Sequence, residues 1–194
     1  MTQTKQRFLS FEDYLAFDVG TDHLYELFNG ELIEVPPESG RNVVIVNFLF
    51  LFFAQIVDFR QIRTHGLELE VRGEPRNRFP DLTIIREEHI PQLEGRNTLR
   101  LTMAPPLLVV EVVSPGELQR ERDYIAKRQQ YQDVGIPEYW LVDPELQTIT
   151  VLVLQDGVYL EAGTFQGSNA ILSPTFGPLA LTANQIFSLD QPKE

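Results

Sequence analysis

The sequence predicts one domain of α+β (α/β) class, and three observations carry that reading. The run Leu107-Leu108-Val109-Val110-Glu111-Val112-Val113, bounded by Pro105-Pro106 and Ser114-Pro115, is apolar without alternation, which suits a strand covered on both faces. Leu24 to Val35 holds Asn29-Gly30 between two β-prone runs, the strongest short-range signal for a hairpin. Arg41 to Arg60 and Glu117 to Gln132 are too long for strands and read as helices. No repeat, low-complexity tract or linker divides residues 1–194.

In chain order, Ser10 to Phe17 reads as a short helix with Ser10 at its N-cap, acidic residues in its first turn and Gly20 soon after its end. Pro36-Pro37 closes the hairpin's second strand. The helix from Arg41 is apolar almost all round, so it is expected to be buried or to form a contact between subunits. Leu67 to Val71 alternates as a half-exposed strand would, and a polar turn, Arg72 to Arg78, comes next. Phe79 to Ile85 is a short strand entered through Pro80-Asp81, and Arg86 to Arg100 is a charged loop. The helix from Glu117 has Ser114 and Pro115 near its start and Gly135 just past its end. Glu138 to Asp143 is a strand stopped by Pro144, and Thr148 to Leu154 with Val158 to Ala162 form a hairpin about Asp156-Gly157. The tail carries Gly and Pro turns and an amphipathic piece, Ala183 to Leu189.

Composition narrows the function. With no cysteine among 194 residues, disulfide scaffolds and thiolate metal sites are excluded, and a reducing, cytoplasmic location is expected. The polar N-terminus shows no secretory signal. Val43 to Phe59, interrupted by Asn47, Gln55 and Asp58, is too short for a typical span, so no membrane partner is expected. The net charge of −12 counts against broad, tight DNA binding, which draws on phosphate neutralisation. It leaves room for a local cleft, and Arg72, Arg76, Arg78, Arg120, Arg122 and Arg128 are the residues that could line one.

Glu111 raises the sharpest question, because an ionised carboxylate is almost never buried without a partner. If Asp81 points to the same side of a neighbouring strand, two carboxylates converge, and a hard cation such as Mg²⁺ suits such a pair. Asp123, Lys127 and Tyr131 fall one turn apart on a single helix face. Lys127 would then orient an attacking water or steady charge developing on a phosphate. The same spacing also fits a structural Glu111–Lys127 ion pair, which is the commoner arrangement of a lone carboxylate beside a lysine, and an Asp81 that only shapes a turn. Glu26 and Glu31 flank the hairpin and read as solvated strand residues. His23, His65 and His89 lack metal-ligand spacing and read as surface or structural. Phosphate-loop, nucleophile-elbow and dinucleotide fingerprints are missing.

These fragments, taken in order, resemble the Uma2 family (DUF820), restriction-endonuclease-like proteins abundant in cyanobacteria. Tyr25-Glu26-Leu27-Phe28-Asn29-Gly30-Glu31 resembles its opening hairpin and Phe79-Pro80-Asp81-Leu82-Thr83-Ile84 its Pro-Asp strand. Val109-Val110-Glu111-Val112-Val113-Ser114-Pro115 resembles its Glu-x-x-Ser-Pro strand. Lys127, Tyr131, Gly135, Pro137 to Trp140 and Asp143-Pro144 match the family's next helix and strand. The resemblance implies a PD-(D/E)xK nuclease-like core, a mixed central sheet flanked by helices, here with additional β-hairpins. It implies Asp81 and Glu111 as ligands of Mg²⁺ or Mn²⁺, Lys127 as the catalytic lysine and Glu26 as an accessory acid. The implied reaction is metal-assisted hydrolysis of DNA phosphodiesters. Two positions depart from the pattern. Val113 occupies the usual lysine slot on the strand, and Asn42 stands where relatives often carry His. The alternative is a catalytically silent module of the same fold, using the apolar stretch Val43 to Phe59 to form a homodimer or bind a partner.

Overall fold

The structure is a computed structural model, and it describes residues 7–17, 23–116 and 121–188. Its centre is a six-stranded mixed sheet built from β3 (Ile62–Thr64), β6 (Leu82–Ile84), β8 (Leu108–Val112), β9 (Glu138–Asp143), β10 (Thr148–Gln155) and β11 (Val158–Gln166). The order is β11-β10-β9-β8-β6-β3. Only β8 and β9 run parallel; the other neighbours are antiparallel. A parallel neighbour needs a crossover, and here it is a helical one. A π-helical stretch, Arg122–Lys127, runs directly into an α-helix, Arg128–Val134, together α4. Gly135 ends it at φ 88° in the left-handed region, the position where glycine carries no Cβ penalty.

The central strands are buried on both faces, as an uninterrupted apolar run requires. On one face Leu82, Ile84, Leu108, Val110, Val112, Trp140 and Val142 pack against helix α2 (Gly40–Phe53), hairpin β12 (Ala170–Ser173) and β13 (Gly177–Thr182), and helix α5 (Ala183–Phe187). On the other, Val109, Val113, Tyr139 and Leu141 meet Tyr131 and Ile136, together with Leu67, Leu69 and Leu99. Leu69 and Leu99 belong to, and Leu67 immediately precedes, a small sheet, β5 (Asn77–Arg78), β4 (Glu68–Glu70) and β7 (Thr98–Leu99), ordered β5-β4-β7. No helix among the described residues is long and apolar enough to cross a membrane.

The expected N-terminal hairpin is present as β1 (Tyr25–Phe28) and β2 (Glu31–Glu34), with Asn29 at φ 49° and Gly30 at φ 78°. Two positive φ values in a row give the primed turn that matches strand twist. Helix α1 (Phe11–Leu15) starts in a capping box between Ser10 and Asp13 and packs Phe11 and Tyr14 on Leu27 of the hairpin. Gly20, expected after its end, lies outside the described residues. So do the expected start of α4 at Glu117 and the end of the tail at Leu189.

Several expectations are corrected. The helix expected over 41–60 stops at Phe53, and a 3₁₀ turn, Phe59–Gln61, capped by Asp58, redirects the chain into β3. Apolarity continues across this break, so hydropathy alone conceals it. Leu67 to Val71 is buried rather than half-exposed: the Glu68 carboxylate is enclosed and accepts from the Tyr14 hydroxyl, Asn77 Nδ2, Thr98 Oγ1 and Arg96 Nη2. Four donors compensate the desolvation that the alternating pattern argues against. The charged loop contains a short helix, α3 (His89–Gln92), and β7. In the tail, β12 and β13 form a further hairpin closing over the core.

Candidate active site

The register between β6 and β8 brings the two strand carboxylates together. Leu82 pairs with Val110 and Thr83 with Val109, so one step back along β6 stands Asp81, opposite Glu111. Directly opposed residues of an antiparallel pair project to one face. The Val112 amide donates to Asp81 Oδ2 at 2.6 Å, and the nearest partner of Oδ1 is His65 Nδ1 at 3.9 Å. Asp81 and Glu111 are almost fully buried, at 4 % and 1 % exposure.

Helix α4 supplies the counter-charge. Lys127 Nζ lies 2.7 Å from Glu111 Oε2 and 3.0 Å from Asp123 Oδ1. The Tyr131 hydroxyl donates to Glu111 Oε1 at 2.5 Å. Asp123, itself buried, also receives Arg122 Nε on the same Oδ1 at 3.2 Å, while its carbonyl accepts from the Tyr139 hydroxyl. The helix face read from spacing is thus the face that meets the sheet. Asp123 is the member whose importance spacing understated: it is the shared acceptor that sets Lys127 and Arg122 side by side.

Electrostatics marks the carboxylate pair as crowded. Burial, and then the negative charge of Glu111, push the Asp81 carboxyl well above the usual range, with Glu38 adding to the effect and Lys127 opposing it. Burial also raises Glu111 against the pull of Lys127. Lys127 loses solvation, but Glu111, Asp123 and Asp81 outweigh that loss and hold its pKa above normal, so it stays an ammonium. Such a pair is relieved by a cation or by a proton.

Of the four residues proposed for chemistry, the structure gathers Asp81, Glu111 and Lys127. Glu26 is bonded into the framework beside them: both of its oxygens accept from Arg78 Nη1 at 3.1 Å, and its charge reaches Arg122. The supposed cleft arginines are largely committed within the fold. Arg78 is buried and also bonds Gln130, Arg72 bonds the Asp133 carbonyl, Arg76 pairs with Glu74, and Arg128 bonds the Tyr159 carbonyl. Arg120 lies outside the described residues. Val113 points into the apolar core and brings no charge. Asn42 is buried at the site's edge and donates from Nδ2 to Glu38, to the Val112 carbonyl and to Ser114 Oγ. His65, read as surface or structural, faces Asp81. With Glu38, Val35, Pro36, Val43 and Phe79 it lines a cleft of about 620 Å³, whose link to the pair is His65 itself, 3.9 Å from Asp81 Oδ1. Glu38 and His65 left no signal in sequence, because the turns before α2 and after β3 are what bring them here.

The donor set fits a hard divalent cation. Asp81 Oδ1 has a free side, and carboxylate oxygens keep a second lone pair after accepting one hydrogen bond. Among the described residues no group of three or more His, Asp or Glu side chains is arranged to hold a metal. A cation here would therefore rest on Asp81 and Glu111 and complete its shell with water or substrate oxygens, the usual habit of Mg²⁺.

The chain matches the model of the Uma2 family, described as "Putative restriction endonuclease", over residues 11–184. A solved structure titled as a "putative nuclease belonging to DUF820" from Anabaena variabilis ATCC 29413 superposes with a TM-score of 0.69 at 21% sequence identity, covering 93% of this chain and 98% of that one. At that identity the likeness establishes a common fold. No curated protein matches the chain.

Proposed function

The chain belongs to the Uma2 family, and from that premise we propose that it is a metal-dependent deoxyribonuclease of the restriction-endonuclease-like class, cutting phosphodiester bonds at Asp81, Glu111 and Lys127. The observation that carries this reading is the opposition of Asp81 and Glu111 across β6 and β8 with Lys127 bonded to Glu111. Asp81 and Glu111 would hold Mg²⁺ or Mn²⁺, which when bound supplies Lewis acidity toward a phosphate oxygen and an acidified water. Lys127 spends two N–H groups on Glu111 and Asp123, leaving a third to orient the attacking water or to meet charge growing on the phosphate. Tyr131 fixes the Glu111 carboxylate, so the acid cannot rotate away from Asp81. Asn42 has no proton to exchange near neutral pH, so its part is to hold Glu38 and the end of β8 in position. Glu26 acts through Arg78 on the framework.

The test is cleavage of supercoiled and linear DNA with added Mg²⁺ or Mn²⁺. The parent is expected to cut, Asp81→Ala and Glu111→Ala to lose activity by at least about a hundredfold, and Lys127→Ala to slow the single-turnover rate more than it weakens metal binding. Cutting retained in both carboxylate variants would remove the site assignment.

A second reading has its own observation. The outward side of α2 and the turn after it expose Val44, Leu51, Ile56 and Phe59, and no charged residue interrupts Asn42 to Val57. An uncharged surface is where a strongly acidic chain best meets its own copy. This favours homodimerisation through α2, with or without catalysis, and the association state in solution decides it.

A further inference from the structure

Arg122 is the cation of this site whose binding capacity is left open. Its Nε bonds Asp123 Oδ1 at 3.2 Å, while its side chain remains 40% exposed. Its terminal nitrogens have no hydrogen-bond partner among the described residues. Arg78, the neighbouring contrast, is buried and spends its guanidinium on Glu26 and Gln130. A guanidinium that only balanced local charge would be expected to close on a carboxylate in the same way, because bidentate pairing is its strongest mode. Arg122 has Glu26 and Glu111 within electrostatic reach, as well as Asp123, yet among the described residues its one hydrogen bond is to Asp123. Its position is fixed by the acceptor that also fixes Lys127. Two cations held by one buried carboxylate beside an acidic pair form an arrangement for an incoming anion with several oxygens.

We propose that Arg122 is the phosphate-binding residue of the site, gripping the non-bridging oxygens of a phosphodiester while Lys127 and the carboxylate pair face the bond to be cut. The assignment rests on the nuclease reading for the identity of the ligand, though not for the existence of the anion site. It accounts for how an acidic chain admits DNA backbone to two carboxylates. With Arg72, Arg76, Arg78 and Arg128 bonded to groups of the fold, Arg122, partly exposed beside Lys127, is the arginine among the described members of that set placed to meet the phosphate.

The experiment uses a fluorescein-labelled 20-base-pair DNA duplex, titrated with the full chain in Ca²⁺ at several salt concentrations and followed by anisotropy. Arg122→Gln is expected to weaken binding by about tenfold or more and to reduce the salt slope by about one. Arg122→Lys should keep the slope and recover part of the affinity. Calorimetric Mg²⁺ binding should be unchanged in Arg122→Gln, a result that a merely structural role for Arg122 would not give, since loss of a strut under Asp123 would disturb Lys127 and Glu111. Equal affinity and slope in parent and Arg122→Gln would overturn the inference, as would absence of duplex binding by the parent. Binding that depends on Arg122 in a parent that does not cut DNA would uphold the anion site and remove the nuclease reading. Cutting with an unchanged KM in Arg122→Gln would do the reverse.

Discussion

Asp81 shows how one residue can be named from sequence while its state cannot. Pro80-Asp81 before a short strand was legible, as were Glu111 inside an apolar run and Lys127 one turn from Asp123 and Tyr131. What sequence could not show was that Asp81 is enclosed opposite another carboxylate, because strand pairing across the interval from 81 to 111 is a tertiary fact. His65 and Glu38 were overlooked for the same reason. The pKa shift has a definite consequence for stability. Burial, followed by the charge of Glu111, raises Asp81 above its unfolded value, so the folded state prefers the protonated acid. Its favourable contribution is complete below the unfolded pKa of about 4 and is lost as pH rises through the raised folded value. Without divalent metal, Asp81→Asn should therefore stabilise the protein by about 1–2 kcal/mol above that range and by little at about pH 4. Thermal unfolding of both proteins across pH checks this, and a gap that fails to widen with pH would count against it. Added Mg²⁺ should narrow the gap by favouring the ionised parent.

At the scale of elements, the most legible features were those that local chemistry dictates alone: the Asn29-Gly30 turn, the Ser10 cap and the Gly135 stop. The break after Phe53 and the strand β3 were hidden, since apolar residues continue across a change from helix to strand. Gly30 offers a test of how tightly one such element is tied to its neighbour. A Cβ built there would lie 2.8 Å from the Phe8 carbonyl oxygen, and its φ is +78°. Gly157, in the β10–β11 turn, has φ +79° and open space around it. Gly157→Ala should cost only the backbone term of about 1–2 kcal/mol. Gly30→Ala should cost about 1 kcal/mol more, because α1 must also move away from the hairpin. Urea unfolding of the two variants gives the comparison, and equal losses would mean that the Phe8 contact yields freely.

For the whole molecule, the fold class, the mixed sheet and its flanking helices were readable because periodicity, turn signals and the family's ordered motifs agree. The small β5-β4-β7 sheet was not, because Glu68 is buried by four donors drawn from three separated segments. The net charge is acidic, and the apolar outer side of α2 beyond Arg41 is the surface on which copies of the chain would meet. If α2 forms that contact, light scattering after gel filtration should give twice the mass of the 22.3 kDa chain, and Leu51→Glu should return it to the single-chain mass with its melting temperature little changed. A parent of single-chain mass at high micromolar concentration would remove the homodimer.

The short pairing of β6 with β8 also gives the carboxylate pair a seam. Glu111 lies on β8, and Asp123, Lys127 and Tyr131 lie on α4, which is bonded to it. Asp81 joins them from a three-residue strand. β6 is fully buried and lies between β3 and β8, so this ladder parts only when the core opens. An ion shared by Asp81 and Glu111 would act as a clasp across this seam, adding its binding free energy to the stability of the sheet at β6.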